Sequence, residues 1–259
     1  TTFNVLYLGF VSDILQVGYY WAAITLYGVI LGFFSSFTSV MMPRMTSLLT
    51  SGEKNNFNNM ISKSFDILFG ISIPLIIVSI FHSPQFINIL SGTGFEGAVT
   101  PVRIILPLVI VVGVAQILAI QILVPMQKDK TILNASIIGA FVGLLCNIIF
   151  VKYLGATGTA IVLLVSELSV TTFYIYSCKK DHILSFPWIK LTKNLIISLP
   201  YILICNLSII IFNENRIIIL LFSVILSLLY FICSNIFILK NSTVSYLVIS
   251  TLSKFKRNN

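Results

Sequence analysis

Residues 101–158 hold two long apolar runs, PVRIILPLVIVVGVAQILAIQILVPMQ and TILNASIIGAFVGLLCNIIFV, separated only by KDK at 128–130. As a helix rising about 1.5 Å per residue, each run is long enough to cross roughly 30 Å of hydrocarbon. A three-residue connection allows nothing but an antiparallel helical hairpin. Its two lysines mark the side of the membrane on which the turn lies, because cations are retained on the cytoplasmic face. The remaining segments are placed relative to this hairpin.

Composition supports the same class. The 259 residues are 57% hydrophobic and 9% charged, whereas a soluble domain carries about 25% charged residues. A chain so apolar cannot cover itself with polar surface in water, so the expected fold class is all-α, a polytopic transmembrane helical bundle. The net charge of +8 is a topology signal rather than a nucleic-acid footprint. Arg44, Lys54, Lys63, Lys128, Lys130, Lys179, Lys180, Lys190, Lys193, Lys240, Lys254, Lys256 and Arg257 fall on alternate loops or the C-terminal tail. Only Arg103, Lys152 and Arg216 fall on the opposite side, and this bias assigns the larger set, with the C-terminus, to the cytoplasm. Cys146, Cys178, Cys205 and Cys233 lie in or beside apolar runs with no CxxC pair, which supports neither a disulfide framework nor a zinc site.

Taken in order, residues 1–11 read as the outer part of a truncated span, without a charged signal-peptide start, so a preceding part of a larger protein is expected. Residues 18–42 form the first complete span, with Tyr19, Tyr20 and Trp21 as anchors at its external end. Gly28, Gly32 and Ser36 recur every four residues, a stripe that suits close helix approach. A polar cytoplasmic loop is expected over 43–63, with a turn at Ser51-Gly52 and a short amphipathic piece on either side. A span over 65–81 follows, kinked by Pro74. The external loop GTGFEG (92–97) lacks the GK[ST] of a phosphate-binding loop, and its glycines suit a tight turn. In the second arm of the hairpin Ala135, Gly139, Gly143 and Asn147 are spaced by four, a smooth face ending in an amide. KYLGATG (152–158) reads as a tight external turn into a span over 159–178 that carries Glu167 near its middle. Two Ile/Leu-rich spans over 194–212 and 216–239 complete seven full crossings and one partial one.

The ordered set VGYYWAA (17–23), PR (43–44), IPL (73–75), GxxFxxA (92–98), RII (103–105), QILVPMQK (121–128), Asn147, LGATGTA (154–160) and Glu167 resembles the C-terminal half of bacterial polysaccharide flippases of the O-antigen (Wzx) type. That family sits in the superfamily of MATE drug exporters and lipid II flippases, and the resemblance spans roughly residues 1–180. It implies a C-terminal lobe over 1–178, a basic cytoplasmic loop over 179–193, two appended helices over 194–240 and a basic tail over 241–259. It also implies a partner lobe on the N-terminal side and a location in the bacterial inner (plasma) membrane. The implied activity is movement of undecaprenyl-diphosphate-linked oligosaccharide between leaflets by alternating access, for O-antigen or capsule synthesis, with H⁺ or Na⁺ coupling. In NVLYLG (4–9) the chain carries Asn4 where the family often has an acid.

The candidate site residues each admit two readings. Arg103, one turn inside the external end of its span, either snorkels to headgroups or contacts the diphosphate. Gln116, Gln121 and Asn147 either line a cavity and bond sugar hydroxyls or tie helices together. Glu167, an acid near mid-membrane, is either paired or kept protonated by burial, and is assigned to ion coupling or to a helix tie. No Ser/His/Asp set or metal cluster is present in the sequence, so the expectation is a transporter with no cofactor rather than an enzyme. The rival readings are a MATE-like drug or cation antiporter, a multi-span polysaccharide-assembly enzyme, and a structural membrane subunit.

Overall fold

The computed structural model describes residues 2–212 and 216–234, and no strand occurs among them. The expected external turn around Glu214 and the basic tail with Lys240, Lys254, Lys256 and Arg257 lie outside the described residues. The chain forms α1 (Thr2–Val11), α2 (Ile14–Thr50), α3 (Lys54–Phe81) and α4 (Ser83–Ser91). A single 3₁₀ turn, Glu96–Ala98, then leads into α5 (Val99–Ile105) and α6 (Leu108–Gln116), which continues as a π-helical segment, Ile117–Leu123. Next come α7 (Asp129–Cys146), a second π segment (Asn147–Val151), α8 (Lys152–Lys180), α9 (Trp188–Ile197), α10 (Leu199–Ile211) and α11 (Arg216–Cys233).

Among the described residues five helical runs are long and apolar enough to cross a membrane: Ile14–Thr50, Lys54–Phe81, Glu96–Leu123, Asp129–Lys180 and Trp188–Ile211. The fourth reverses at Gly155, whose φ of 52° and ψ of −127° are not helical, so it supplies two antiparallel arms. This is the turn expected at KYLGATG. Glycine is required there twice over. The positive φ disfavours any side chain, and a Cβ would stand 2.6 Å from Gln16 Oε1. Gly158, just beyond, brings its backbone against Phe150, where a Cβ would lie 2.5 Å from the carbonyl oxygen. With the ten-residue α1 and the 18-residue α11, the chain is a multi-pass helical membrane protein.

Turn-to-helix contacts confirm the antiparallel threading. At one end Gln16 Oε1 accepts the Ala156 N–H at 3.0 Å, and the Tyr19 hydroxyl donates to the Gly94 carbonyl at 3.4 Å. Tyr19 also meets Phe95 edge-on, and a Cβ on Gly97 would overlap the Tyr19 ring. At the other end Lys128 pairs with Asp181, and Lys190 reaches Asp66 at 2.7 Å. The Lys128 hydrogen bond holds the Asp181 carboxyl below the usual carboxylate range. Within the hairpin, the stripe Ala135–Gly139–Gly143 faces α8: Ala135 and Gly139 are buried, and a Cβ on Gly139 would strike Val170.

Three sequence expectations change. The stretch 43–63 has its turn at Ser51-Gly52 as expected, but the pieces on either side are the ends of two long helices rather than parts of a loop. α2 continues through Pro43 to Thr50 and α3 starts at Lys54, leaving only 51–53 as the turn, with Gly52 at φ 76°. Apolar Met45, Phe57 and Ile61 are buried along this hairpin, so its polar residues are one face of two paired helices rather than a free segment. Tyr20 is not an interfacial anchor but fully buried, while its neighbour Trp21 is exposed. Gly28 and Gly32 have nothing within 4 Å, so no helix among the described residues packs on that stripe.

Candidate functional site

Four elements bring polar side chains together inside the bundle. Asn147 opens the second π segment, where the smooth face of α7 ends, and is buried. Its Nδ2 donates to Asn4 Oδ1 on α1 at 3.0 Å and to the Gly143 carbonyl at 2.8 Å, while its own Oδ1 has no partner. Tyr20 on α2 directs its hydroxyl toward Asn4 without a hydrogen bond of normal geometry. Two turns further along α2, the buried Tyr27 lies within electrostatic reach of Glu167 on α8, as does Tyr174 on the same helix. Glu167 is half-buried, and no side-chain hydrogen bond to its carboxylate occurs among the described residues. Thr171, one turn on, donates to the Val111 carbonyl at 3.2 Å and fixes α8 against α6.

Chemically the group is a carboxylate, two amides and three phenols in a low-dielectric interior. A carboxylate with free lone pairs can take a proton or supply an oxygen ligand to a hard cation, and amide and phenol oxygens suit the same ion. The unpartnered Asn147 Oδ1 and Tyr20 hydroxyl are acceptors that a bundle interior rarely leaves unmet.

The other predicted residues lie elsewhere. Arg103 is exposed near the Gly155 end of the molecule. Its Nε donates to Ser83 Oγ at 2.9 Å, leaving the rest of the guanidinium outward. Gln121 lies about 27 Å further along the same helical run. It sits on the first π segment, fully buried, with neither amide atom partnered. Gln116 is a helix tie: its Nε2 donates to Ser35 Oγ on α2 at 2.7 Å, and Thr38 donates to its Oε1 at 3.4 Å. Asn147 and Glu167 thus fall in two neighbouring groups linked along α2 by Tyr20 and Tyr27, while Arg103 and Gln121 stand apart from both. Asn4, Tyr20, Tyr27 and Tyr174 complete the two groups. Of these, the sequence marked only Asn4, through the acid expected at that position. Separately, α2, α3, α4, α10 and α11 enclose an apolar groove of about 360 Å³, lined by Leu26, Ile30, Pro74, Val78, Tyr201 and Phe231 among others.

No family model matches the chain. A protein of Escherichia coli (strain K12) named "Putative O-antigen transporter" is 25% identical over 180 residues, 70% of this chain and 43% of that protein. Among solved structures, the lipid II flippase MurJ in an inward closed conformation superposes with a TM-score of 0.70 at 19% identity, covering 86% of this chain and 47% of MurJ. The chain therefore spans about half the length of these two proteins. Over that half it has the helical fold of MurJ. Both matches agree with the polysaccharide-flippase resemblance carried by the sequence motifs, and both are named for transport rather than for an enzymatic reaction.

Proposed function

We propose that this chain is the C-terminal lobe of a bacterial inner-membrane flippase that moves undecaprenyl-diphosphate-linked oligosaccharide between leaflets by alternating access. The observation that carries the reading is the intramembrane cluster of Asn4, Tyr20, Tyr27, Asn147 and Glu167, placed on a MurJ-like fold. An acid near mid-membrane costs about 2.5–3.5 kcal/mol when charged, and a helix tie would be made more cheaply by an amide. Among the described residues Glu167 has no side-chain hydrogen bond to its carboxylate, which leaves it to take H⁺ or Na⁺ and to couple its gradient to lobe motion. Residues 1–178 form the lobe, 179–193 a cytoplasmic link and 194–240 an appended pair, followed by a cytoplasmic tail. Arg103 offers its outward guanidinium to the diphosphate, and Gln121 and Asn147, buried in this state, meet sugar hydroxyls when the lobes open.

A MATE-like antiporter is the second reading, favoured by two tyrosines, Tyr27 and Tyr174, within electrostatic reach of the Glu167 carboxylate, a grouping that suits an organic cation. Vesicles holding the full-length protein separate the two. The expected result is uptake of radiolabelled lipid-linked oligosaccharide that rises under an imposed ion gradient, with no efflux of cationic dyes. Glu167→Gln keeps size and hydrogen bonding but cannot ionise. At parental membrane abundance, it should abolish the response to the gradient. Dye efflux without lipid movement would select the antiporter, and gradient-driven transport by Glu167→Gln would return Glu167 to a helix tie.

A further inference from the structure

α9, α10 and α11 lean on α3 along one continuous seam. At its far end Val78 on α3 packs with the buried Tyr201 and Cys205 of α10, flanked by Tyr230 and Phe231 of α11. Midway, Gly70 lies against the Asn194 side chain, whose Nδ2 is bonded to its own helix at the Lys190 carbonyl. Near the start Phe186 and Trp188 stack edge-on with one another, and Phe186 with Phe65 and Phe69. Nearly all of this is apolar. In a bilayer such contact gives little preference for one docking over another, because lipid tails are as apolar as leucine. Directional contacts must therefore set the register. Those found across this seam among the described residues belong to a single ammonium. Lys190 Nζ donates to Asp66 Oδ2 at 2.7 Å, to Ser62 Oγ at 2.5 Å and to the Ser62 carbonyl at 3.1 Å. All three N–H donors of the lysine are used, on one turn of α3.

We propose that Lys190, through Asp66 and Ser62, is a positioning residue that latches α9–α11 onto α3, so that the pair travels with the bundle and the α10–α11 wall of the apolar groove stays in place. The pair sits where a lysine on α9 can reach the first membrane-embedded turns of α3, and each of its side chains is only about one-third exposed. Loss of one charge removes the hydrogen-bonded partner that holds the other across the seam. The apolar seam can then slide or splay, since the other contacts found between α3 and α9–α11 among the described residues are apolar packing. The consequence for transport rests on the flippase reading above. The docking itself does not.

The two are tested separately in the full-length protein, with Cys146, Cys178 and Cys233 replaced by alanine and Val78→Cys introduced opposite the native Cys205. Copper-phenanthroline oxidation of membranes reads the 78–205 crosslink. Asp66→Asn and Lys190→Gln should each slow crosslinking severalfold. The charge swap Asp66→Lys with Lys190→Glu should restore it, and should restore membrane abundance if the single variants accumulate poorly. Lys128→Gln, which breaks the similarly exposed pair with Asp181 away from this seam, should leave the crosslink at the parental rate. Parental crosslinking in both single variants, or a swap that fails to recover either readout, overturns the latch whatever the protein transports. Lipid-linked oligosaccharide uptake measured on the same membranes tests the dependent claim: the swap should transport and the single variants should not.

Discussion

At the scale of single residues, the glycines divide into those the fold needs and those it leaves bare. Gly155 holds a backbone conformation that side chains rarely adopt, and a Cβ there would meet Gln16. Gly155→Ala should therefore cost about 2 kcal/mol or more from backbone strain and overpacking together. Gly28→Ala adds a methyl where nothing lies within 4 Å and should gain up to about 1 kcal/mol of helix propensity. Thermal unfolding of the purified chain in detergent checks both, and equal melting temperatures for the two variants would contradict this division. The turn at Gly155 was legible in the sequence because KYLGATG interrupts two apolar runs with turn chemistry. Asn147 was legible because its spacing by four placed it on the packed face of α7. The rest of its cluster was not, since Asn4 and Asn147 are 143 positions apart and only the tertiary fold brings them together. Tyr20 shows the same gap: beside Tyr19 and Trp21 it looked like an aromatic belt residue, and only helix rotation decides that it points inward.

At the scale of elements, the largest departure from the sequence pattern is the α2–α3 hairpin. Polar residues over 43–63 signalled a loop because hydropathy falls there, but hydropathy reports solvent, not backbone conformation. α2 is 37 residues long, about 55 Å as a helix, well beyond the thickness of hydrocarbon. Its polar end is thus a helix in water. Pro43 does not stop it. In a long helix the bond lost at one proline is a local cost, and buried Met45, Phe57 and Ile61 hold the extension together. The π segments Ile117–Leu123 and Asn147–Val151 were equally invisible, since no composition marks a shifted hydrogen-bond register. Limited trypsin digestion of inside-out vesicles should cut first after Lys54, at the 51–53 turn, and much more slowly after Arg44 and Lys63. Equal cleavage at all three would mean that the loop expected from the sequence is right and the helical hairpin is not.

At the scale of the molecule, the exposed face of α2 carries the sharpest test of the two-lobe reading. Trp21, Thr25, Gly28, Gly32, Ser36 and Ser39 fall along one stripe that no other helix among the described residues covers. Helices that face lipid do not need such small and hydroxylated side chains. Membrane helices use them where a backbone approaches closely or where water is present. The bundle buries Tyr20 and Tyr27 on a different face of α2, and on the two-lobe reading the stripe serves something outside these residues. With 47% of MurJ matched by the present chain, the proposed occupant is the cavity and the second lobe. Gly32→Trp places the largest side chain in that space. In residues 1–259 purified alone it should leave the melting temperature unchanged, because nothing lies within 4 Å of a Cβ there. In the full-length protein it should abolish uptake of lipid-linked oligosaccharide without lowering membrane abundance, since the wedge obstructs either lobe closure or the substrate path. Parental transport by Gly32→Trp would mean that the stripe looks into lipid, and the two-lobe arrangement would have to be built on a different face.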